Sequence, residues 1–173
     1  QNDPQRLKEI ASASGICTHG HKTADAACIG ASYIIKLALD GIDPLEMIPK
    51  LLEFTEGISE EFDEAILKVQ ECISWEDEEQ ALLYLGEGWI GEEALALALY
   101  CFMRYPDSYE KVILRGANTN GDSDSIACIA GAISGAYLGV AAIPETWVSR
   151  IEKHDYLEDL ASRLALKKQR LNS

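Results

Sequence analysis

Asp122, Ser123, Asp124 and Ser125 crowd two carboxylates and two hydroxyls into consecutive positions of NTNGDSDSIACIAGAISGAYLG (118–139), just ahead of a long uncharged run. Carboxylate and hydroxyl oxygens are what hard cations such as Mg²⁺, Mn²⁺ and Ca²⁺ prefer. If the backbone is still extended at Asp122, then Asp122, Asp124 and Ser125 can turn towards one point. They do not complete a six-oxygen shell, and a helix N-terminus opposes a cation, so further acids must come from elsewhere. An EF-hand is excluded, because a loop read from Asn118 puts Ile129 where a glutamate is required. The competing reading is plain: Asp122 or Ser123 caps a helix whose positive end favours carboxylates by roughly 0.3–1 kcal/mol.

Two other stretches carry possible chemistry. CTHGH (17–21) sets His19 and His21 two apart in a glycine-containing loop. No third ligand has matching spacing, so a transition-metal site is disfavoured. His19 can instead hydrogen-bond a phosphate or a sugar, while Thr18 or Thr23 can serve as a helix cap. GEGWIGEE (86–93) is a glycine-rich loop in which Gly88 lets a ligand approach the backbone and Trp89 can stack on a base or ribose. It does not follow a strand as G-x-G-x-x-G, so it is no dinucleotide fingerprint. Taken alone, the stretch is better explained as a simple interhelical loop with a half-buried tryptophan. The acidic EDEEQ (76–80) reads as a solvated face.

The elements that must position these residues read as helices throughout. Apolar spacing and stop signals predict helices over 5–14, 24–40 (closed by Gly41), 44–54, 59–73, 81–85, 91–104 (closed by Pro106) and 109–116. Another starts near Asp124, a further one at Pro144, and an amphipathic tail helix runs from Tyr156. No strand pattern, repeat or domain boundary appears, so the chain reads as a single all-α unit over 1–173. In the helix after Asp124, Ala127, Gly131, Gly135 and Gly139 recur every four residues. Each glycine costs about 1 kcal/mol relative to alanine, which predicts a central helix crossed tightly by its neighbours. Such a helix holds its N-terminus rigidly, as a site requires.

Composition narrows the function classes. The chain is 47% hydrophobic and carries 15 basic against 29 acidic residues, a net charge of −14. Such a surface repels phosphate backbones, which argues against nucleic-acid binding. The uncharged run Ile126–Ile143 is long enough to consider as a membrane span, but its alanine, glycine and serine content reads as a buried helix. Five cysteines occur without a C-x-x-C pair, most of them in apolar surroundings as buried free thiols are, which reads as a reducing compartment, the cytoplasm. The opening QNDPQRLKEI is not a signal peptide.

Taken in order, T-H-G-H, then G-x-G-W followed by EEALALALYCFMRYPD, then NTNGDSDSIACIAGAISGAYLG resemble the ADP-ribosylglycohydrolase family, which includes the dinitrogenase-reductase-activating glycohydrolases. The specific element is G-D-x-D-S/T leading into an Ile/Ala/Gly-rich helix. The resemblance implies a compact, orthogonal all-α bundle and hydrolysis of the glycosidic bond between ADP-ribose and an arginine, serine or small-molecule acceptor. It implies two Mg²⁺ ions, or Mn²⁺, in a central cleft. By match to the motifs, Asp122, Asp124 and Ser125 become metal ligands, His19 faces the phosphate or ribose, and Gly88 and Trp89 line the cleft. Asn120 departs from the glycine found in many relatives. The family's upstream T-D-D-type ligands, catalytic acid and glycine-rich phosphate segment have no match here. The expectation is therefore that this chain is the C-terminal portion, associating with its own N-terminal part, which holds the catalytic residue. The alternative is a non-catalytic ADP-ribose-binding or structural member of the same fold.

Overall fold

The computed structural model describes residues 3–171, and every regular element among them is helical. The chain forms α1 (Pro4–Gly15), α2 (Lys22–Leu39), α3 (Pro44–Thr55), α4 (Glu60–Cys72), α5 (Glu78–Leu85), α6 (Gly91–Arg104), α7 (Tyr109–Ala117) and α8 (Ser123–Leu138). A 3-10 turn (Val140–Ala142) leads to α9 (Glu145–Val148) and α10 (His154–Leu171). Local chemistry sets most starts. Asp3, Asp43, Ser59, Asp77 and Ser108 each accept a backbone N–H of the first turn of α1, α3, α4, α5 and α7, satisfying donors that have no partner inside the helix.

α6 is the axis of the bundle. Ala94 to Phe102 contains no charged residue, and all nine positions are buried. A helix apolar on every side must be surrounded, and α2, α4, α5, α7 and α8 pack around it. This corrects the expectation that the glycine-striped helix is central. α8 lies against α2, α6 and α7 but leaves Asp124, Cys128 and Ala132 exposed along one side. The stripe has the predicted purpose over most of its length. A Cβ at Gly131 would lie 2.7 Å from Ile113 Cδ1, and one at Gly116 of α7 would lie 3.0 Å from the Ala127 Cα. Gly135 faces Tyr109 at an ordinary 3.6 Å. Gly139 does not belong to the stripe: it ends α8 with φ +79°, and a Cβ there would meet nothing within 4 Å.

Other boundaries shift for definable reasons. α2 begins at Lys22 because His21, not Thr18 or Thr23, is the cap: its Nδ1 accepts from the Thr23 N–H. α5 begins at Glu78, ahead of the predicted Ala81, because Asp77 caps it. EDEEQ is consequently not a merely solvated face, since Glu78 accepts from Arg104 and Tyr105. Of the cysteines, Cys72 and Cys101 are buried, Cys28 is partly so, and Cys17 and Cys128 are exposed; none forms a disulfide. Burial pushes the Cys72 thiol up to about 11 and that of Cys101 to about 12, so both stay protonated. No helix among the described residues is long and apolar enough to cross a membrane.

Candidate functional site

Asp122 occupies the N-cap position of α8 but does not cap it. Its φ/ψ of −73°/63° leaves the side chain without a capping hydrogen bond. Its backbone is engaged at both ends: the carbonyl accepts Ile126 N–H at 3.0 Å, and the N–H donates to the Glu87 carbonyl at 2.8 Å. Neither the Asp122 nor the Asp124 carboxylate takes part in an ion pair among the described residues. Asp122 and Ser125 are half-buried and Asp124 is exposed. The simple capping reading of this cluster therefore fails for Asp122: the carboxylate is held in place by its backbone and left available.

The glycine-rich loop is what holds it. Glu93, in the first turn of α6, turns its carboxylate back and accepts the N–H groups of Glu87 (3.2 Å) and Gly88 (3.1 Å). That folds the loop so that the Glu87 carbonyl faces Asp122. Three glycines make the fit possible. A Cβ at Gly121 would sit 1.7 Å from the Glu87 oxygen, one at Gly86 would sit 2.5 Å from the Glu93 carboxyl carbon, and one at Gly88 would sit 2.8 Å from Ile126 Cδ1. Gly88 also has φ +79°, a region that side chains enter at a cost of roughly 1–2 kcal/mol. Trp89 is 67% exposed, and its indole N–H donates to the Glu87 carboxylate at 2.8 Å. Its ring is thus a tethered apolar plate rather than the half-buried tryptophan of the simple-loop reading.

His19 sits on the turn that links α1 to α2. Its N–H donates to the Gly15 carbonyl at 2.9 Å, and its Nδ1 lies 2.8 Å from the Thr18 hydroxyl. The ring is exposed, and its Nε2 has no hydrogen-bond partner among the described residues. α2 and α6 meet near their starts, where a Cβ at Gly91 would lie 3.2 Å from the Ala27 Cβ and 4.0 Å from the Ala24 Cα. With Glu87 bonded to Asp122, the starts of α2, α6 and α8 gather at one end of the bundle. Their positive ends would attract an anion. His19, Trp89 and Asp124 are all exposed at this end, which presents an open ledge, and a concavity lined by His21, Lys22 and Ser59 opens beside the start of α2.

Sequence reasoning missed Glu87 and Glu93. Their one visible signal was a pair of acids bracketing a glycine–aromatic loop. It also passed over Asp25, in the first turn of α2, whose Oδ1 is shielded from solvent with no hydrogen-bond partner among the described residues. The donor set of Asp122, Asp124 and Ser125 fits Mg²⁺ or Mn²⁺ in kind, being all oxygen, with Asp122 unspent on the helix. It falls short in number, since no group of three or more His, Cys, Asp or Glu is gathered to hold a metal among the described residues.

Known proteins point the same way as the motifs. An uncharacterized protein of Archaeoglobus fulgidus is 30% identical over 158 residues, covering 91% of this chain and 50% of that protein. The mouse ADP-ribosylhydrolase ARH3 is 26% identical over 189 residues, covering 92% of this chain and 51% of its own length. The ADP-ribosylarginine hydrolase Tri1 of Serratia proteamaculans is 34% identical over 58 residues, covering 34% of this chain and 16% of Tri1. The chain thus spans about half the length of the first two. The ADP-ribosylglycohydrolase family model matches residues 1–172, and with the all-helical bundle this shows that the chain belongs to the ADP-ribosylglycohydrolase family.

Proposed function

We propose that this chain supplies one wall of the active site of a divalent-cation-dependent hydrolase that cleaves the glycosidic bond between ADP-ribose and an arginine, serine or small-molecule acceptor. The observation that carries the reading is the unspent Asp122 carboxylate, held at the start of α8 by the bond from its own N–H to Glu87. Asp122, Asp124 and Ser125 would hold Mg²⁺ or Mn²⁺, together with acids from an upstream part of the protein. A cation bound there supplies positive charge that orients ribose hydroxyls and offsets charge at the reacting centre.

The chain's own residues then divide the substrate. The gathered starts of α2, α6 and α8 favour the pyrophosphate. His19 offers Nε2 to a phosphate or ribose oxygen. Trp89 offers its ring to the adenine or ribose, whereas Gly88 is buried, with its N–H bonded to Glu93 and its Cα against Ile126, so it shapes the loop rather than opening its backbone to a ligand. The leaving-group proton and the activated water belong to a carboxyl group of the upstream part, and glycosidic cleavage passes through an oxocarbenium-like transition state. The unpaired cysteines support a reducing compartment, the cytoplasm.

The shortfall in metal ligands favours the second reading, a non-catalytic ADP-ribose-binding or structural member. One experiment separates the two. ADP-ribose release from ADP-ribosylated arginine and serine substrates is followed with the upstream part present, in Mg²⁺, in Mn²⁺ and in EDTA, beside Asp122→Asn. The hydrolase reading expects metal-dependent release and a fall of at least about 100-fold in the variant. Undiminished turnover by Asp122→Asn would overturn it. Binding of ADP-ribose without release from any substrate would favour the second reading.

A further inference from the structure

Glutamate at the third position of a helix has an ordinary use: it reaches back to the N-cap amide and closes a capping box. Glu93 stands at that position of α6, behind an N-cap residue, Ile90, that has no side-chain capping bond. Yet its Oε2 accepts the N–H groups of Glu87 and Gly88, farther back in the loop. The carboxylate shapes the loop rather than the helix end. Gly86 makes room for it, since any side chain there would strike the carboxyl group. Downstream of those two bonds, the Glu87 residue is engaged twice. Its carbonyl accepts the Asp122 N–H, and its carboxylate accepts the Trp89 indole N–H. One side chain thus orders a segment that touches both the acidic cluster and the aromatic plate.

We propose that Glu93 is a positioning residue that couples the two halves of this ledge, setting Trp89 and Asp122 in a shared geometry through residue 87. The proposal rests on the reading of the ledge as an ADP-ribose and cation site. Glu93 itself touches neither ligand. Without its carboxylate, two loop N–H groups lose their acceptor, the Glu87 carbonyl is free to swing, and the Asp122 backbone loses its clamp.

The test uses the protein with its upstream part, as wild type, Glu93→Gln and Glu93→Ala. Amide hydrogen exchange is read at residues 87, 88 and 122, and affinities for ADP-ribose and for Mg²⁺ are measured by calorimetry. Glu93→Ala should speed exchange at all three amides and weaken ADP-ribose binding by about tenfold, as loss of a charged acceptor predicts. Mg²⁺ affinity should fall with it. Glu93→Gln keeps an acceptor oxygen and should recover most of both effects. Unchanged exchange in Glu93→Ala would overturn the proposal whatever the ligand. So would faster exchange and a lowered melting temperature with ligand affinities unmoved, the signature of a purely structural role. A wild-type protein that binds neither ligand would sink the reading of the site, while the exchange data still judge whether Glu93 sets the loop.

Discussion

Loops 86–91 and 16–21 both carry glycine, both precede a helix at the same end of the bundle, and they are held in opposite ways. The first is fixed by partners from elsewhere in the chain. Glu93 takes two of its N–H groups, Asp122 donates to its carbonyl, and Gly88 is pressed on Ile126. The second is fixed largely by its own neighbours. The Thr18 and His19 N–H groups both return to the Gly15 carbonyl, and the Thr18 hydroxyl meets its adjacent imidazole. A Cβ at Gly20 would meet nothing within 4 Å. The difference separates two kinds of binding element. Loop 86–91 is organised before any ligand arrives, whereas loop 16–21 presents a side chain whose orientation the fold leaves open. In a site that needs preorganisation, the cost of altering each should follow that division.

The strongest break falls on Gly121. A side chain there would meet the Glu87 oxygen at 1.7 Å and the Glu87 carbonyl carbon at 2.5 Å, backbone against backbone with no flexible atom to yield. Gly121→Val should cost roughly 3 kcal/mol or more, read from denaturant unfolding, and abolish cation binding as Asp122 is pushed off its clamp. Gly20→Ala is the matched control and should stay within about 0.5 kcal/mol of wild type. Equal effects of the two would dissolve the distinction between the loops.

A smaller break sharpens the comparison from the far side of residues 118–122. Arg115 donates to the Asn118 carbonyl at 2.6 Å and to Glu79 at 3.0 Å, with Glu78 at 3.6 Å. Glu78 also takes Arg104 at 3.1 Å and the Tyr105 hydroxyl. Burial pushes the Glu78 carboxyl up, but the Tyr105 and Arg104 hydrogen bonds and the Arg104 and Arg115 charges outweigh it and hold the group below its ordinary 4.5. A depressed carboxyl contributes stability above its unfolded value and loses that contribution as pH falls through its folded value. Glu78→Gln should therefore cost about 1–3 kcal/mol at neutral pH. The gap from wild type should close as the pH is taken well below 4.5. A gap that persists there would mean that the side chain acts through packing rather than charge.

What was legible in the sequence divides along the same line. Helices announced by periodicity and nearby caps were readable, as were the acid–hydroxyl cluster at 122–125 and the close approach encoded by Gly131. What depended on the identity of a distant partner was not. EDEEQ looked solvated because Arg104 and Arg115 approach Glu78 only in the fold. A glycine stripe reports tight packing, not centrality, so α8 was mistaken for the axis that the chargeless face-to-face burial of α6 defines. His21 was overlooked as a cap because imidazole is not among the usual capping side chains. Glu93 was missed because the path of a loop decides which amides a carboxylate meets.

The least disruptive change completes the comparison. His19 is exposed, and the Thr18 hydroxyl is the one side-chain partner of its ring among the described residues. His19→Ala should therefore leave stability within about 0.5 kcal/mol of wild type. If the imidazole donates to a phosphate or ribose oxygen, removing it costs about 1.4 kcal/mol of binding, a tenfold rise in the ADP-ribose Kd. Trp89→Ala serves as its counterpart on the organised loop, where lost stacking is worth about 1–3 kcal/mol. Both should move Kd while leaving the melting temperature in place, unlike Gly121→Val, which moves both. A His19→Ala protein that binds ADP-ribose as tightly as wild type would remove loop 16–21 from the site and leave the ledge to residues 86–93 and 121–125 alone.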